Sequence, residues 1–73
     1  MKRETLARLL ARAEELIAIG QQHIARQNEI MAESRQAGRG DVTAKALLVL
    51  LEEVQARHIE ARDRFAREIT ALD

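Results

Sequence analysis

The segment RQAGRGDVTAKA, Arg35 to Ala46, decides the fold. It is the place where a long helical pattern stops and a second one starts. Two of the chain's three glycines stand in it, and the chain has no proline. Gly38 suits the left-handed residue just past a helix end. Asp41 suits an N-cap, its carboxylate accepting from the first free backbone amides of a new helix. The pattern predicts a helix over about 3–37, a turn over about 38–41 and a helix over about 42–72, all within one domain, residues 1–73. A connection this short makes the helices antiparallel, an all-α two-helix hairpin.

Outward from the turn, apolar residues recur at helical spacing. In the first helix Leu10, Ile17, Ile24 and Met31 are seven apart, as are Leu9, Leu16, His23 and Ile30. Between them runs the column Leu6, Ala13, Gly20, Gln27 and Ser34, mostly small. At about 100° per residue the three columns form one stripe. The second helix carries Ala44, Leu47, Leu48, Leu51, Val54, His58, Phe65, Ile69 and Leu72. The seven-residue repeat implies a left-handed coil between partners. Glu4 with Arg8, Glu53 with Arg57, Glu60 with Arg64 and Asp63 with Arg67 are acid-first pairs four apart, which support exposed helix faces.

The chain has 73 residues and a formal net charge of zero. A domain this small is marginal as a monomer and usually adds disulfides, a metal or oligomerisation. It has no cysteine, which removes disulfides and thiolate metal sites. Zero net charge argues against a general nucleic-acid binder and against a basic membrane-surface helix. The longest apolar run, ALLVLL from Ala46 to Leu51, is far short of the roughly 20 residues that span a bilayer. The start, MKRETL, has no apolar signal core before Arg8. The expectation is a cytoplasmic, soluble chain.

The apolar stripes are wider than one line of contact can cover. The run Leu47 to Leu51 covers more than half of its helix. A second copy giving a four-helix bundle supplies the missing contacts. The residues expected at the helix interfaces are Leu10, Ile17, Gly20, Ile24, Met31, Leu47, Leu48, Leu51 and Phe65.

Gly20 interrupts a helix with its weakest ordinary former, at a cost of about 1 kcal/mol relative to Ala. The expected reason is steric: a small residue lets a second backbone approach, so Ala should be tolerated there. A hinge is the competing reading, but kinks usually need a proline or bulge. With a turn centred between Gly38 and Asp41, positions whose numbers sum to about 79 lie level. That puts His23 and His58 only roughly 3 Å out of level. With Gln27, Gln55 and Arg62 they would form a polar layer across the middle, fixing register as a buried Asn does in coiled coils. The competing reading is a metal site at His23 and His58, since imidazole is a common ligand for zinc and copper. The helical Glu-x-x-His signature is missing and Arg62 would repel a cation, so no metal and no cofactor is expected.

RGD at Arg39 to Asp41 matches an integrin-binding tripeptide, but in this setting Gly40 and Asp41 read as turn and cap. No Ser-His-Asp order, phosphate loop or paired-carboxylate cleft is present, so no enzyme is expected. Arg57, Arg64 and Arg67 could touch phosphate, but Glu60, Asp63 and Glu68 interleave them as on a solvated face.

The stretches AEELIAIGQQHIARQ and DVTAKALLVLLEEVQARHIEARDRF resemble small, uncharacterised bacterial proteins. The shared pattern is Ile17, Gly20, His23, Ile24 and Gln27, then Ala44, Leu47 and Leu48, then His58, Arg62, Asp63 and Arg64. It spans most of the chain and carries no assigned activity. In architecture the chain also resembles plasmid-copy-control hairpin dimers that bind paired RNA loops, a likeness of fold alone. The expected function is a non-enzymatic interaction or regulatory module acting as a homodimer, with an unidentified protein as a further possible partner. Nucleic acid and membrane are not expected as partners. An RNA-binding hairpin dimer and a histidine metal-binding bundle are the alternatives.

Overall fold

A computed structural model describes residues 2–39 and 42–73. They form two helices, α1 (Lys2–Gln36) and α2 (Val42–Leu72), packed against each other. The helices are antiparallel: Ile17 on α1 is bonded to Gln55 on α2, and Gln27 further along α1 to Ala44 nearer the start of α2. The result is a rod of 55 × 14 × 13 Å.

α1 runs unbroken through Gly20. Its end is a Schellman motif. The Gly38 amide donates to the Arg35 carbonyl (3.0 Å) and the Arg39 amide to the Ser34 carbonyl (2.9 Å). Gly38 sits at φ 75°, the left-handed region that this motif requires. The expected turn residue Gly40 and N-cap Asp41 lie outside the described residues.

The seam on α1 is the mostly small column: Leu6, Ala13 and Gln27 are buried, Gly20 and Ser34 half-buried, with Ile17 buried beside them. On α2 the buried residues are Ala44 and Gln55. The buried apolar set of the described residues is therefore Leu6, Ala13, Ile17 and Ala44, and none of their side chains is fully enclosed.

Register differs from the expectation. The two inter-helix hydrogen bonds join positions whose numbers sum to 71 and 72, where a fold-back symmetric about the turn gives about 79. α1 continues for nearly two turns beyond the level at which α2 begins. At this register His23 and His58 are roughly 14 Å apart along the rod. His23 is also exposed and His58 half-buried. The expected histidine layer is not there, because at this register the two imidazoles stand at different levels.

Charge pairing differs as well. The ion pairs within helices are Arg12–Glu15 (3.1 Å), Arg26 with Glu29 (3.0 Å) and Glu33 (3.7 Å), and Arg62–Asp63 (3.0 Å). The expected acid-first pairs are not among the ion pairs of the described residues. Exposed pairs contribute little, so several partners compete for each arginine. At the far end from the turn Arg3 pairs with Asp73.

Candidate interaction surface

The buried polar groups of the seam are two glutamines. The Gln55 amide Nε2 donates to the Ile17 carbonyl at 2.8 Å, and the Gln27 Nε2 donates to the Ala44 carbonyl at 2.9 Å. Each glutamine reaches from its own helix to the backbone of the other. Both bonds go to carbonyl oxygens with a second lone pair, so the helical ladder need not open.

Gly20 belongs to the first of these clamps. A Cβ placed on it would sit 1.9 Å from Gln55 Oε1 and 2.8 Å from Gln55 Cδ. The atoms that fill the space beside the glycine belong to the Gln55 side-chain amide, which would have to shift to admit an alanine. Gln55 Oε1 has no conventional donor. It rests against the Gly20 α-carbon, where a weak Cα–H···O contact is the polar interaction open to it.

His58 Nδ1 is likewise buried without a hydrogen-bond partner. Among the described residues no three His, Asp or Glu side chains gather where they could hold a metal ion. The rod has an open groove of about 250 Å³ lined by Ile24, Glu52, Gln55, Ala56 and Ile59. It offers a single titratable group, Glu52, which cannot make an acid–base pair, and it is smaller than usual small-molecule sites of about 300–1,000 Å³. No described helix is long and apolar enough to cross a membrane.

Of the residues expected at interfaces, Ile17 is buried in the seam. Leu10, Gly20, Ile24, Met31, Leu48, Leu51 and Phe65 are half-buried, and Leu47 is 45% exposed. Phe65 carries the Arg64 guanidinium over its ring, 5.3 Å from the centroid. Leu9, Ile19, Val49, Leu50 and Val54 also stand open, with Leu50 the most exposed of these at 57%. Once the hairpin has closed, the described residues thus still present an open apolar surface.

The glutamine clamps were partly visible beforehand. Gln27 occupies the central column and Gln55 lies seven residues from Leu48 and Arg62. A polar residue in a seam column whose partner column holds a glycine is the signal for a side chain inserted across the interface.

Comparison with protein families, with curated proteins and with solved structures finds no match to this chain. The resemblance to small bacterial proteins therefore rests on the motifs quoted above. The helical hairpin itself stands on the structure.

Proposed function

We propose that the chain is a non-enzymatic interaction module whose working unit is a homodimer, two hairpins forming a four-helix bundle. The carrying observation is surface. The chain exposes 5586 Å², whereas a compact monomer of its mass exposes about 4,600 Å². The excess, roughly 1,000 Å², is close to the 800 Å² or so that each partner contributes to a stable interface. Four buried apolar residues among those described are a small core to set against the entropy of ordering this chain. A second copy supplies the rest.

Sedimentation equilibrium tests this reading. A species of twice the 8.3 kDa chain mass is expected at micromolar concentration. A folded monomer at every concentration overturns it.

A further inference from the structure

The apolar residues left in water are not spread evenly around the rod. On α1 the seam is the column Leu6, Ala13, Gly20 and Gln27. At 100° per residue, Leu9 and Leu16 lie to one side of it, and Ile19 lies further round on that side. On α2 the seam runs through Ala44, Leu51 and Gln55. Leu47 and Val54 lie on the same-handed side of it, with Leu50 further round. In an antiparallel pair, same-handed sides of the two helices fall on one face of the rod. Five of these six side chains are more than two-fifths exposed: Leu9 and Ile19 at 43%, Leu47 and Val54 at 45%, and Leu50 at 57%. On the opposite face, Leu10, Ile24, Leu48 and Ile59 are half-buried.

With the observed register, the order along the rod is Leu9, Leu16, Val54, Ile19, Leu50, Leu47. The patch is centred near the middle of the rod, so a twofold axis through its centre superposes it on itself. Its border is close to balanced in charge. On α1 the charges in and beside these columns are Lys2, Arg8, Arg12 and Arg26 against Glu15, Glu29 and Glu33. On α2 they are Glu53, Arg57, Glu60, Arg64, Arg67 and Glu68, three of each sign. Arg12–Glu15 and Arg26–Glu29 are already paired. A border with a net charge of one gives a basic or acidic partner little net attraction, and it lets two identical faces meet with little net repulsion.

We infer that the second copy of this chain packs on the face carrying Leu9, Leu16, Ile19, Leu47, Leu50 and Val54, and that the opposite face, with its half-buried Leu10, Ile24, Leu48 and Ile59, stays in solvent. This rests on the reading that the hairpin self-associates, and adds where. Single thiols test it, since the chain has no cysteine of its own. Leu50→Cys and Val54→Cys lie on the proposed interface. Ala18→Cys and Val49→Cys lie away from it, at positions that are also exposed in the hairpin. Alkylation rates are read across a range of protein concentration, with sedimentation on the same samples. The first pair should react about tenfold more slowly once nine-tenths of the chain is associated, by mass action. The second pair should react at one rate throughout. A dimer that protects Ala18→Cys or Val49→Cys instead, or protects none of the four, overturns the choice of face and leaves self-association standing. A folded monomer at all concentrations overturns both.

Discussion

Gly20 and Gln55 act as one unit. Replacing Gly20 by Ala adds about 1 kcal/mol of helix propensity. It also pushes a Cβ into the Gln55 amide oxygen, and displacing that amide from its hydrogen bond to Ile17 costs about 1–3 kcal/mol. The expected net result is a lower melting temperature for Gly20→Ala. In a Gln55→Ala background the obstruction is gone, and Gly20→Ala should then stabilise by up to about 1 kcal/mol. A double-mutant cycle by thermal denaturation checks this reversal of sign. Equal effects in both backgrounds would show that the glycine serves backbone approach after all. The place of the glycine in the seam was legible from its column. Its purpose was not, because heptad spacing shows where a gap lies and says nothing of which side chain enters it.

At the scale of the helices, Gly38 fixes where α1 ends. A Cβ there would meet no atom within 4 Å, so the cost of a substitution is backbone strain alone. Gly38→Ala should destabilise by roughly 1 kcal/mol, since a Cβ disfavours the left-handed region. Gly38→Asn should cost less, because Asn tolerates that conformation. Chemical denaturation of the two variants measures the difference, and an Ala variant as stable as the parent would remove the strain. The glutamine clamps fix register in turn. Apolar columns seven residues apart allow α2 to slide by one repeat and still meet α1, whereas the two amide bonds each fit one carbonyl. Gln27→Leu with Gln55→Leu should keep the helix content but lose the single register, read as extra backbone amide resonances. One sharp set of resonances would show that the apolar columns suffice. Helix limits were legible from Gly38 and from the apolar period. The level of α2 against α1 was not, because columns seven residues apart match equally well one repeat away and no side-chain period chooses between the two.

For the whole molecule, the width of the apolar stripes was the legible sign of surface in excess, and the structure gives it as Leu47, Leu50 and Val54 in water. A self-associating rod should melt at a temperature that rises with concentration, because association stabilises by mass action. Leu50→Glu should abolish that dependence, as a carboxylate in an apolar interface is strongly disfavoured. Calorimetry at two concentrations decides, and a concentration-independent melt of the parent would mean that the hairpin stands alone. The rod's dimensions carry one more consequence. At 55 Å long and 14 Å across, it has a shape that reports how copies join. Laid side by side, two rods thicken the particle and leave its maximum scattering dimension near the length of one. Joined end to end, they lengthen it and leave the cross-section unchanged. The pair distance distribution from X-ray scattering in solution therefore separates flank contact from tip contact without a label or a mutation.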